Sequence, residues 1–126
     1  YYVQFDPEGG SFMGGGIFMP EAPALAAIRQ EIYYNPEEFA AIVEAPDYCR
    51  WFPDGFWDPQ PLKTAPKGYP RDWHYIDWLN HRHWCSMHEV PLTLANRKDL
   101  TDYTLECFRA SLPLNRFIQR AMYELL

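Results

Sequence analysis

The sequence predicts an α+β domain: a small antiparallel sheet, helices packed mainly on one of its faces, and an ordered loop rich in proline and aromatic residues. Three observations lead there. Alternating apolar residues bounded by turn chemistry open the chain and return at residues 82–90. Apolar residues recur at helical spacing in the stretches between and after them. Residues 46–70 hold six of the twelve prolines beside six aromatic residues.

In chain order, Tyr1 to Phe5 is aromatic and β-branched, Asp6-Pro7-Glu8-Gly9-Gly10 has turn composition, and Ser11 to Met19 resumes a strand pattern. Together they read as a β-hairpin. Gly14, Gly15 and Gly16 interrupt its second strand, which weakens pairing unless a bulge or a close backbone approach needs the missing side chains. Pro20 and Pro23 open a helix ending near Tyr34, with Leu25, Ile28 and Ile32 on the buried face and Arg29, Gln30 and Glu31 turned outward. Asn35 is placed to cap the next helix, Pro36 suits its first position, and Glu38 stands where a capping box closes on the Asn35 amide. Phe39, Ile42 and Val43 form that helix's buried face, and Pro46 stops it.

From Pro46 to Pro70 the chain reads as loop, and its aromatic density argues for packing across the sheet or helices, since flexible linkers are Gly/Ser-rich. Asp72 can cap a short helix through Asn80, with Trp73, Ile76 and Leu79 inward. The strand over 82–90 alternates His83, Cys85 and Met87 with Trp84, Ser86 and His88, and Pro91 ends it. Leu100, Thr104, Cys107 and Phe108 mark one helix. Leu114, Phe117, Ile118, Ala121, Met122 and Leu125 mark a last one, started by Pro113.

The length, 126 residues, suits a single domain. Its beginning inside a strand pattern, with no signal-peptide features, suggests an excerpt of a longer protein. A net charge of −6 with scattered basic residues offers no footprint for a phosphate backbone, so no nucleic-acid partner is expected. No apolar run approaches the ~20 residues a bilayer requires. Cys49, Cys85 and Cys107 are odd in number and lack CxxC spacing, which points to reduced thiols and a cytoplasmic setting.

Several ordered motifs carry a family resemblance. Gly9-Gly10-Ser11-Phe12-Met13-Gly14-Gly15-Gly16-Ile17-Phe18-Met19-Pro20 is followed by Ile28-Arg29-Gln30-Glu31-Ile32. Pro66-Lys67-Gly68-Tyr69 leads into Asp72, His74, Ile76, Leu79 and Arg82, and Phe108 precedes Leu112-Pro113-Leu114-Asn115. Taken together, nearly the whole chain resembles the family catalogued as domain of unknown function 2461. It departs from the family's pattern at Tyr75 and at His83-Trp84. The resemblance implies that the chain is the C-terminal portion of a longer family member, and it implies a fold but no established chemistry.

No motif names a reaction, and whether the chain is an enzyme is left open. Arg29, Lys67, His74 and Arg82 fall inside the family-like motifs and would suit a carboxylate or phosphate if the fold brings them into one cleft. The plainer reading pairs Arg29 with an acid on its own helix and leaves Lys67 solvated. Gly14, Gly15 and Gly16 leave backbone amides open to an anion, yet the run lacks the Gly-Lys-Ser/Thr of phosphate loops, so a structural role is favoured. His74, His81, His83, Cys85 and His88 are the densest set of potential metal ligands, but a second pair at matching spacing is missing, and no metal or other cofactor is expected. Glu21, Glu31, Glu37, Glu38 and Glu44 read as solvated. The favoured function is a non-catalytic, uncharacterised role, with a protein partner or the family's N-terminal half contacting the Trp51–Trp57 stretch. The alternative is an enzyme or small-ligand protein acting on an anionic group.

Overall fold

The opening hairpin forms as its composition predicts. In a computed structural model, which describes residues 1–4, 11–58, 61–90 and 97–123, β1 (Tyr2–Gln4) pairs antiparallel with β2 (Phe12–Ile17). β2 in turn pairs antiparallel with β4 (Trp84–Glu89), and β4 with the two-residue β3 (Phe56–Trp57), giving the sheet order β1-β2-β4-β3. The fold is α+β. The turn expected at Asp6 to Gly10, the strand stop expected at Pro91 and the core position expected at Leu125 lie outside the described residues.

Register divides the sheet into two unlike faces. Met13 sits opposite His88, Gly15 opposite Ser86 and Ile17 opposite Trp84, so these share the face that receives the helices. Phe12, Gly14, Met87, Cys85 and Trp57 fall on the other face. The helix layer comprises α1 (Ala22–Tyr34), α2 (Pro36–Val43), α3 (Pro46–Trp51), α4 (Ile76–Asn80) and α5 (Arg97–Ala121). α5 lies along β2 and touches α1, α2 and α3, so it is the spine of the layer. Met13, Ile28, Ile32, Phe39, Trp84 and Phe117 meet in the core between the layers. Each large apolar side chain fully buried there contributes on the order of 1.5–3 kcal/mol.

Four local expectations are corrected. The capping box is absent: the Asn35 side-chain amide turns back to the Glu31 carbonyl and carboxylate, and its backbone N–H also bonds Glu31 O. One residue thus closes α1 and precedes α2, while Glu38 is drawn away to Arg120 at 2.7 and 2.8 Å. Pro46 does not merely end a helix; it is the first residue of α3, where its missing N–H costs nothing. The expected 46–70 loop therefore contains a helix as well as strand β3. Pro113 lies inside α5 rather than starting a separate helix. One lost hydrogen bond is outweighed by the burial of Cys107, Ser111, Leu114 and Phe117 on both sides of the proline.

The glycines of β2 are explained by what approaches them. A Cβ on Gly15 would lie 2.8 Å from both Asn115 Nδ2 and Ser111 Oγ of α5, so the missing side chain lets the helix settle on the strand. The Gly16 amide donates to Asn115 Oδ1 at 2.7 Å. Asn115→Ala is expected to strand this amide at a cost of about 1–2 kcal/mol, and Asn115→Asp, which keeps an acceptor there, to cost less. Urea unfolding of both variants measures the difference, and equal losses would refute the role given to the acceptor.

Candidate functional site

The residues nominated from sequence are placed as follows. Arg29 does not point away from the protein, nor does it pair with an acid among the described residues. Its Nε donates to Leu79 O at 2.9 Å and its Nη2 to His81 O at 3.2 Å, so the guanidinium closes the C-terminal end of α4. Burial depresses its pKa, a neighbouring Tyr69 opposes that shift, and the like charge of Arg82 adds to it. Arg29, Arg82 and Tyr69 are thus brought together. Beside them Asn80 Oδ1 is buried with no hydrogen-bond partner among the described residues, and as an acceptor it adds nothing to the holding of an anion.

Lys67 and His74 are exposed and form no ion pair or hydrogen bond with Arg29 or Arg82 among the described residues. Pro66-Lys67-Gly68-Tyr69 is a tight turn: Tyr69 N–H bonds Pro66 O at 3.2 Å, and Gly68 takes φ +95 at the third position, where a side chain would be strained. Lys67 stands at its tip, and His74 packs edge-on against Tyr75.

The histidines and cysteines are engaged by the fold. Met19 N–H donates to His83 Nδ1 at 2.8 Å, and Cys85 Sγ donates to Ile17 O at 3.0 Å, so the two candidate ligands of one strand face are both tied to the backbone beside β2. His81 Nδ1 lies 3.3 Å from Asp58 Oδ2, which also accepts the Arg82 amide at 2.8 Å. On the helix side, His88 Nδ1 donates to Trp51 O at 2.7 Å, and Nε2 shares a hydrogen bond with the Tyr103 hydroxyl. Tyr48 and Ser86 share a hydroxyl pair beneath the helices, and burial pushes the Tyr48 phenol up to about 12. Among the described residues, no group of three or more His, Cys, Asp or Glu side chains is arranged to hold a metal ion. Glu31 and Glu38, read from sequence as solvated, both bind Arg120.

The aromatic stretch divides between interior and surface. Trp51 is 6% exposed and belongs to the core, packing edge-on against His88 and Tyr103. Trp57 is 42% exposed on the face of the sheet opposite the helices, beside Phe18 at 55% and Met19 at 67%. Phe18 stacks on His83 at 4.9 Å and lies 5.7 Å from Trp57. A recess of about 500 Å³ next to them is lined by Val3, Gln4, Phe12, Phe18, Trp57, Cys85 and Met87, with no charged side chain among the described residues. Phe18 and Met19 were not singled out by sequence. The signal was their place at the end of a strand whose inward face was already supplied by Met13 and Ile17.

The residues that carry the family resemblance meet where α5 crosses β2: Gly15 and Gly16 come from the opening motif and Asn115 from the last. Residues 1–117 match the model of the family described as "Conserved hypothetical protein (DUF2461)". The chain belongs to this family. The match does not bear out the narrower expectation that the chain is the family's C-terminal portion. No curated protein and no solved structure matches the chain. The family's description names no activity, so roles for its residues here rest on geometry. Among the described residues, no helix is long and apolar enough to cross a membrane.

Proposed function

We propose that this member of the family is a non-catalytic, cytoplasmic interaction domain that binds a partner protein on the helix-free face of its sheet. The observation that carries the reading is the cluster of Phe18, Met19 and Trp57, large apolar side chains left exposed beside a recess whose described lining is without charge. A contiguous apolar surface of that kind is the usual mark of a protein contact, and a described lining without cations suits an apolar partner surface better than an anionic metabolite. The buried thiols support the same reading. Cys85 and Cys107 are pushed up to about 11 by burial, so their thiols are poor nucleophiles at neutral pH. Buried reduced thiols in turn suit a reducing compartment.

A photo-crosslinking residue in place of Met19, in the full chain within its native cell, tests this. The expected product is a discrete adduct with a different protein, reduced at least about tenfold (~1.4 kcal/mol) by Phe18→Asp or Trp57→Asp. Adducts with the chain itself alone, or adducts unaffected by both substitutions, refute the reading.

A second reading, a small carboxylate or phosphate held by Arg29 and Arg82, has one observation in its favour: two guanidinium groups close enough to repel each other, with no acidic partner on Arg29 among the described residues. Lys67 and His74 would have to be drawn in by the ligand. Titration with inorganic phosphate and acetate, comparing the unmodified chain with Arg82→Ala, decides it.

A further inference from the structure

On the far side of the helix layer, α2, α3 and α5 enclose an open groove of about 940 Å³. Along α5 its wall runs from Glu106 to Arg120, which at 1.5 Å per residue is about 21 Å, or four helical turns. The floor is apolar and mixes small side chains, among them Ala41, Ala45 and Ala110, with the aromatic Tyr48, Trp51 and Phe117. Small residues let another backbone come close, and half-buried Ile42 and exposed Ala41 and Pro113 leave apolar area to cover, whereas Phe117 is already buried in the core.

The rim has a different chemistry. Arg109, Arg116 and Arg120 recur at spacings of seven and four on one face of α5, and Arg50 joins them from α3. Four arginines therefore face Glu38, Asp47 and Glu106, in a chain whose net charge is −6. Arg120 is held by Glu31 and Glu38 and closes one end, and Arg50 leans on Asp47 at 3.8 Å. Arg109 and Arg116, between these ends, form no ion pair among the described residues. Pro113 adds an acceptor, because it has no amide to give the Arg109 carbonyl.

We propose that this groove docks an acidic, amphipathic helical segment of a partner protein. Four turns of length exceed what a compact metabolite spans, the apolar floor with its exposed alanine and proline fits the apolar stripe of a helix, and Arg109 and Arg116 stand where carboxylates flanking that stripe would lie. The site lies on the opposite side of the molecule from Phe18 and Trp57, and the inference does not rest on the sheet-face reading.

The test is selection of a random peptide library, about 14 residues long, on the full chain. Enriched peptides are expected to carry apolar residues at helical spacing flanked by Asp and Glu, and to bind less tightly as salt is raised. The double substitution Arg109→Ala/Arg116→Ala should weaken them at least about tenfold, whereas Arg109→Lys/Arg116→Lys keeps most of the affinity and Phe18→Asp leaves it unchanged. Both arginines are exposed, so an unchanged thermal midpoint confirms that the variants fold. No enrichment, enrichment of non-acidic peptides, or acidic peptides that bind the double alanine variant equally well overturns the proposal.

Discussion

Gly16→Ala is expected to cost about 3–4 kcal/mol, lowering the thermal midpoint by roughly 10–20 °C. Two effects combine at this position. Gly16 has φ +111, a conformation that L side chains rarely adopt, and a Cβ there would sit 1.9 Å from the Trp84 carbonyl oxygen and 2.9 Å from its carbon. Both neighbours are backbone of β4, so no side-chain rotation relieves the overlap and the β2–β4 pairing itself must part. Gly68 separates the two effects, because it has φ +95 with open space where a Cβ would go. Gly68→Ala should cost only the conformational strain, about 1–2 kcal/mol. Chemical unfolding of the two variants side by side is the measurement. Equal losses would mean that strain alone operates and that β2 and β4 are not as close as described.

The second large effect is alkaline. Cys85 is 3% exposed and Cys107 is fully buried, and burial raises both thiols from 9.0 to about 11. In the unfolded chain the same thiols ionise near 9, so between pH 9 and 11 the folded state holds more protons than the unfolded one and stability falls as pH rises. Below pH 9 their contribution is fully present. Two units of displacement correspond to roughly 2–3 kcal/mol per thiol, so the pair removes about 5 kcal/mol by pH 11, comparable with the whole stability of a small domain. Tyr48, raised from 10.0 to about 12, extends the fall over the next unit. Urea unfolding at successive pH values should show a plateau and then this decline, with the decline between 9 and 10 largely removed in Cys85→Ala/Cys107→Ala. Stability that holds level to pH 11, or a slope unchanged by the double substitution, refutes the assignment.

The candidate sites were legible to different degrees, for physical reasons that the residues show. Periodicity located the hairpin, α1, α2, α4, β4 and the buried stripe of α5, because each depends on which face of an element is apolar. Pairwise choices were not legible. Asn35 and Glu38 have the spacing of a capping box, yet each has a better partner, Glu31 for one and Arg120 for the other, and the Arg120 contact spans 82 residues. Arg29 looks like a surface cation on its own helix and becomes an internal strut once the Leu79 and His81 carbonyls arrive from α4. The arginine stripe of α5 went unread because a break at Pro113 parts Arg109 from Arg116, and only a continuous helix puts them on one wall.

The order of apolar, glycine and proline residues by itself determined the α+β class, most element positions and the motifs that place the chain in its family. The tertiary structure alone decided which sheet face is left without helices, why Gly15 and Gly16 carry no side chain, and how four scattered arginines come to rim one groove. The division has one cause. Periodicity is a property of neighbours along the chain, whereas exposure, clash and charge clustering depend on residues brought together from tens of positions apart.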